Sequence, residues 1–179
     1  TEGYSTAWER FDFRQYFLNT TIVAVVTTIL TVTVSAMTGY AFAKYDSVWL
    51  KIFFMCILAT TMLPTEVIMP SAFAVVRNLG MYNTLAGIIV PSIITATGIF
   101  MFRQYFKTVP NELMEAARLD GDSEIGIFVR IMLPLATPIM AVLSIFSFQW
   151  RWNDYTWPLI ILRDPNRYTL QLALRSIVG

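Results

Sequence analysis

Residues 15–43 read QYFLNTTIVAVVTTILTVTVSAMTGYAFA, 29 positions without a charged side chain. An α-helix rises about 1.5 Å per residue and needs about 20 apolar residues to cross a hydrocarbon layer roughly 30 Å thick, so this stretch is long enough to span a membrane. Residues 52–76, 78–102 and 131–150 behave alike. The four windows hold 99 of the 179 residues with Glu66 as their only charge, where even scattering would place about 14. That pattern excludes an ordinary globular core. It predicts an all-α integral membrane protein, a transmembrane helix bundle with four spans at about 17–43, 49–76, 85–102 and 134–150.

Composition narrows the chemistry. The chain is 56% hydrophobic, carries a net charge of +1, and has no histidine and a single cysteine, Cys56. The balanced charge, without a long basic run, argues against nucleic acid as a partner. Without histidine or a second cysteine there is no disulfide framework, zinc site, histidine-based catalysis or histidine-ligated haem. Chemistry on Asp or Glu remains open. Cys56 and the nine methionines read as packing residues. The first 16 residues carry Glu2, Glu9, Arg10, Asp12 and Arg14 with no apolar core, so they are not read as a signal peptide. A start at Thr1 instead of Met is expected of a piece of something longer.

The first span is rich in small residues (Thr27, Thr28, Thr31, Thr33, Ser35, Ala36, Gly39). Such residues let helices approach closely in lipid, which places this helix inside a bundle. The second span contains Pro64, Glu66 and Pro70. A proline removes a backbone donor and kinks a helix, so the second half is expected to be bent or broken. The tail from Arg151 alternates apolar and polar residues, and Trp152, Tyr155 and Trp157 are typical of a membrane interface. Four crossings place both termini on one side. Basic residues do not orient the bundle: Lys44, Lys51, Arg103, Lys107, Arg118 and Arg130 fall on one side, and Arg10, Arg14, Arg77, Arg163, Arg167 and Arg175 on the other. All three lysines share the side of the one long polar interval.

That interval, residues 103–133, includes TVPNELMEAARLDGDSEIGIFVRIMLP over 108–134. Pro110 suits a first helical turn, Glu112 and Glu115 favour the N-terminal half, and Gly121 after Asp120 is a C-cap, so 110–120 is expected to be a short helix. A second begins at Asp122 or Ser123, with Ile125, Phe128, Val129 and Met132 on one face. Ala116 and Ala117 are expected on an exposed helix face where another surface packs closely. If the pair merely linked two spans, Glu115 and Arg118 would form an i, i+3 ion pair worth a few tenths of a kcal/mol.

The spacing Glu115-Ala116-Ala117, three residues, Gly121, nine residues, then Ile131-Met132-Leu133-Pro134 resembles the EAA loop of permease subunits of binding-protein-dependent ABC importers. The resemblance extends along the chain through Leu18-Asn19-Thr20, Ala41-Phe42-Ala43-Lys44, Met62-Leu63-Pro64, Leu79-Gly80-Met81-Tyr82-Asn83-Thr84, Phe102-Arg103-Gln104-Tyr105-Phe106, Trp152-Asn153-Asp154 and Trp157-Pro158-Leu159. Together these look like the MalG-like carbohydrate branch, which serves sugars and related polyols including glycerol phosphate. Arg151 and the tail Thr169–Gly179 depart from that pattern. The resemblance implies the type I ABC importer permease fold, with this chain holding the second to fifth of six spans in a multi-pass protein of the cell membrane. It implies a cytoplasmic loop at 103–133 and an external Thr1–Tyr16. It also implies three partners besides membrane lipid: a cytoplasmic ABC ATPase dimer, a second permease subunit and an external substrate-binding protein. The coupling residues it implies are Glu115, Ala116, Ala117, Arg118, Asp120, Gly121, Ile131, Leu133 and Pro134. No cofactor or metal is implied.

Other residues carry open alternatives. Glu66, at about 22 Å along a helix from Lys51, lines a pathway, caps a helix broken at Pro64, or sits at the interface. Asn19, Trp152, Asn153 and Asp154 contact the pathway or the binding protein, or the aromatic pair belongs to an interfacial belt. The run Asp120, Asp122, Glu124 lacks the Gly at six and Glu at twelve that a Ca²⁺ loop needs, since Ile125 and Ile131 stand there. No Gly-x-x-x-x-Gly-Lys-Ser/Thr occurs, so ATP energy must come from a partner. The rival reading is a self-sufficient secondary transporter using Glu66, although such folds usually show repeats and several membrane carboxylates. An intramembrane enzyme would lack a catalytic partner for Glu66.

Overall fold

The computed structural model describes residues 13–178, with side chains through Ser176. Residues 1–12 of the expected external segment Thr1–Tyr16, Arg10 of the charge count among them, lie outside the described residues. The described residues form helices and short connections, with no strand among them. In order these are α1 (Phe13–Lys44), α2 (Val48–Thr60), α3 (Thr65–Asn78), α4 (Ala86–Ile89) with a 3-10 turn Val90–Ser92, and α5 (Ala96–Thr108). Then come α6 (Glu112–Leu119), α7 (Glu124–Ile127), a π-helix Phe128–Met132, α8 (Leu133–Leu135), α9 (Thr137–Trp152), α10 (Thr156–Ile161), a 3-10 turn Pro165–Arg167 and α11 (Leu170–Val178).

By length and apolarity α1 and the stretch Ala86–Thr108 can each cross a membrane, and two bent pairs pass the same test, Val48–Thr60 with Thr65–Asn78 and Glu124–Leu135 with Thr137–Trp152. The break expected near Pro64 is present between α2 and α3. Thr60 and Thr61 turn their hydroxyls back onto the carbonyls of Ile57 and Leu58 at 2.6 Å each, ending α2. Glu66 therefore sits in the first turn of a new helix, where a carboxylate faces the positive end of the helix dipole. The straight-helix distance from Lys51 does not apply. The third helical stretch continues past Phe102 to Thr108, so Arg103 and Lys107 are helical. Pro134 lies in α8, and the long helix after it starts at Thr137, where Ala136 interrupts the regular backbone.

The chain divides into two compact units, and the divisions fall inside α1, α3 and α9 and between the 3-10 turn Val90–Ser92 and α5. Unit one comprises residues up to 28, 68–92 and 147 onward. Its core gathers Val23, Val76, Ile88, Trp157, Ile161, Leu162 and Leu172. The tail with its alternating apolar and polar residues folds into α10, which buries Trp157 and Ile161, and α11, which buries Leu172 and Ala173. Unit two comprises 29–67 and 93–146, around Val32, Ala36, Tyr40, Phe102, Phe106, Met114, Ile127, Met132 and Leu143. On α1, Thr27, Thr31, Ser35, Ala36 and Gly39 are buried as the small-residue pattern required, while Thr33 faces outward. Cys56 is exposed, and Met55 and Met62 are exposed too, so the packing role expected of them holds only for residues such as Met114 and Met132.

Candidate functional site

The polar interval folds onto unit two as a short helix, a tight turn and a second helix. Lys44, ending α1, donates to the Val109 carbonyl at 2.5 Å and to Asn111 Oδ1 at 2.8 Å, which fixes where α6 begins. Met114 and Ala117 point down into the core, and Tyr40 joins them through an edge contact with Phe106 at 5.8 Å and a tilted one with Phe128 at 5.2 Å. Asp120 caps α6, and Gly121 follows at φ +85°, a conformation that glycine adopts without strain. The Gly121 N–H donates to Arg118 O and the Asp122 N–H to Ala117 O, the paired closure of a Schellman motif. Ser123 caps α7 by accepting from the Gly126 N–H at 3.1 Å.

Charge sets the turn. Arg118 does not pair with Glu115; it forks onto Glu124, Nε to Oε1 at 2.6 Å and Nη2 to Oε2 at 3.1 Å. Tyr45 donates to the same carboxylate at 2.6 Å, and Arg130 binds Asp122 at 2.9 Å. Two of the three acidic residues of the run, Asp122 and Glu124, are thus taken up by arginines. The Arg118 guanidinium, then the Tyr45 hydroxyl, holds the Glu124 carboxyl down to about 2. A carboxyl held below its ordinary value near 4.3 contributes fully above that value, and the contribution is lost only as pH falls through about 2. Hydrogen-exchange protection over 118–126, corrected for intrinsic rates, is therefore expected to stay level between about pH 5 and 8 and to drop only in acid. In Glu124→Gln it should be low throughout; a drop near pH 6 in the unaltered protein would contradict this arrangement.

What remains outward is the other side of the pair. Glu115 and Ala116 are exposed, Leu119 is 89% exposed and Ile125 77%. Of the two alanines only Ala116 is on the open face; Ala117 is in the core. The expected stripe of Ile125, Phe128, Val129 and Met132 also splits: Ile125 and Val129 face out, while Ile127 and Met132 are fully buried. The π-helix explains this, since its i to i+5 closure brings residues five apart onto one face. Ile131 and Leu133 are half-buried against the same core, and Pro134 is exposed beside the bend. The residues from Glu115 to Gly121 and from Ile131 to Pro134 are thus carried on a single core in unit two.

Of the remaining candidates, Asn19, Trp152, Asn153 and Asp154 lie in unit one and Glu66 in unit two. Asn19 Nδ2 donates to the carbonyls of Asn166 and Tyr168 at 3.0 and 3.1 Å, and Thr20 accepts from the Leu170 N–H at 2.7 Å, so the Leu-Asn-Thr triplet fastens the tail. Trp152 packs edge-on to Phe17 and stacks on Phe148, Asn153 caps back onto Gln149 O, and Asp154 accepts from the Trp157 N–H and pairs with Arg151 at 3.1 Å. Arg151 also donates to Ser92 Oγ, which gives that unexpected residue a structural place. Glu66 is exposed at the start of α3. Sequence reading missed Tyr45, whose partner lies 79 positions away, and Asn83, whose side chain accepts from the Arg163 and Asp164 N–H groups.

Residues 31–177 match the family described as binding-protein-dependent transport system inner membrane component. The chain belongs to that family. The match runs through residue 177, so all but the last two residues of the tail that departed from the resemblance lie within it. Among similar inner membrane components is the arabinooligosaccharides transport system permease protein AraQ of Halalkalibacterium halodurans, 38% identical over 91% of this chain and 58% of that protein. The sn-glycerol-3-phosphate transport system permease protein UgpE of Pectobacterium atrosepticum is 37% identical over 93% of this chain and 59% of that protein. The chain spans well under two thirds of the length of these relatives. A crystal structure of a bacterial ABC transporter involved in import of the acidic polysaccharide alginate superposes with a TM-score of 0.86 at 27% identity, covering 92% of this chain and 58% of that one. The chain is thus an inner membrane component of the binding-protein-dependent transport family, with a helical fold shared with that transporter chain.

Proposed function

We propose that the chain forms the second to fifth spans of a six-span permease, at about 17–43, 49–76, 85–102 and 134–150, and that residues 103–133 couple it to a cytoplasmic ATPase dimer. The observation that carries this is the two-sidedness of the loop: Met114, Ala117, Ile127 and Met132 anchor it in unit two, while Glu115, Ala116, Leu119 and Ile125 are left outward with large apolar side chains exposed. A helix presenting such a face fits a groove in a partner, and anchoring on the core of α1, α5 and α9 makes a push on the loop a push on the helices. An external substrate-binding protein and a second permease subunit complete the assembly. The binding protein acts by preferring the outward-open state, as any ligand with differential affinity must.

The cargo class is a sugar or related polyol. AraQ and UgpE are named for arabinooligosaccharides and glycerol 3-phosphate, and the alginate importer for an acidic polysaccharide, which agree at the level of carbohydrates and their polyol relatives. Uptake into vesicles carrying the full-length permease, its sister subunit and the binding protein tests the reading. Transport is expected only when the ATPase and ATP are inside, and Glu66→Gln is expected to lose at most part of it. Uptake without any ATPase, abolished by Glu66→Gln, would instead establish the secondary-transporter reading.

A further inference from the structure

All three lysines of the chain, Lys44, Lys51 and Lys107, line one cavity of about 300 Å³ in unit two, and Arg103 joins them. Asp46 is the only carboxylate in the lining, paired with Lys51 at 2.5 Å, so four cations face one anion. Two of the cations are held in place. Arg103 donates from Nε to the Phe42 carbonyl at 3.2 Å with its guanidinium 4.0 Å above the Phe54 ring, and Lys44 is held by Val109 and Asn111. Lys107 makes no hydrogen bond or ion pair among the described residues, and the Lys51–Asp46 pair is highly exposed. The remaining walls include the apolar Phe42, Leu50 and Phe54.

The place of the cavity in the fold gives the cations a purpose. Its walls are the last residues of α1, the first turns of α2 and the last turns of α5, three ends of apolar helices, which is where a bilayer gives way to water. Cations gathered at that level beside an aromatic wall match a group with a charged phosphate and an apolar stem. We propose that this cavity binds a phosphate group presented by the headgroup of an anionic phospholipid. The proposal needs only the membrane placement of the chain and is independent of ATPase docking.

Native mass spectrometry of the full-length permease in detergent, titrated with phosphatidylglycerol or phosphatidylcholine, tests it. The first phosphatidylglycerol is expected to bind about tenfold more tightly than phosphatidylcholine. Each cation near an anionic headgroup is worth roughly fivefold, so Lys51→Gln with Lys107→Gln, two exposed side chains whose loss leaves the core intact, should abolish that preference. Arg14→Gln with Arg77→Gln, equal in charge removed but on other helix ends, should keep it. Inorganic phosphate adducts that displace phosphatidylglycerol from the unaltered protein, and are lost in the lysine variant, would assign the same site to a soluble phosphate. Equal affinity for both lipids with no phosphate adduct, a preference unchanged in the lysine variant, or a preference lost equally in the arginine variant would overturn the proposal.

Discussion

Gly39→Val is expected to stop the protein accumulating in the membrane. A Cβ at Gly39 would stand 2.5 Å from Phe102 Cβ, 2.9 Å from the Arg103 backbone nitrogen and 3.1 Å from the Phe102 carbonyl carbon. Two of these three atoms belong to the backbone of α5, and the third is fixed to it, so no rotamer change relieves the contact; the two helices must separate. Overpacking of a fixed core costs about 1–3 kcal/mol, and here separation would also open the cluster around Phe102 and Phe106, both fully buried. A total of about 4 kcal/mol is a large share of the stability of any domain. Membrane fractions probed by immunoblot should show Gly39→Val at a small fraction of the unaltered level, with Gly39→Ala between the two. Full accumulation of Gly39→Val would mean that α1 and α5 do not meet at this position.

Close approach of α1 was legible in sequence, since a helix in lipid has little but van der Waals packing to hold it and spends small residues on that face. Which helix it meets was not, because Gly39 and Phe102 are far apart in the chain. Helix ends were legible where local chemistry sets them: Gly121 after Asp120, Ser123 before Gly126, and Pro64 at the broken span. Side-chain direction was less so. Ala116 and Ala117 differ by one position and by a full turn of environment, which only the tertiary core decides. The π-helix at Phe128–Met132 has no residue signature, and an ordinary 3.6 period put Ile125 and Val129 on one face with Met132, from which the structure parts them. Arg118 had two carboxylates in reach by spacing, Glu115 one turn back and Glu124 across the Gly121 turn. The turn geometry brings Glu124 to a bidentate position, and Tyr45 reinforces it from an element that sequence gave no reason to place there.

The second large effect concerns Glu115. Its side chain is exposed on α6, and the ion pairs and hydrogen bonds that hold the loop run through Arg118, Glu124, Asp122 and Arg130. Glu115→Lys therefore leaves the fold supported. It reverses the charge at the centre of the outward face, next to Ala116 and one turn from Leu119. A like-charge or unpaired contact at an interface costs about 3 kcal/mol, roughly a hundredfold in affinity. If the outward face is where the ATPase docks, that loss separates the two proteins and transport falls with it, while insertion and thermal stability of the permease stay near normal.

The measurement that tests the central claim most directly is capture of the cognate ATPase by tagged full-length permease, unaltered and Glu115→Lys, from the same detergent extracts. The account predicts stoichiometric ATPase with the unaltered permease and a loss of about a hundredfold in affinity with Glu115→Lys at equal permease yield. ATPase captured equally by both, with uptake also preserved, would contradict the assignment of residues 103–133 as the coupling loop.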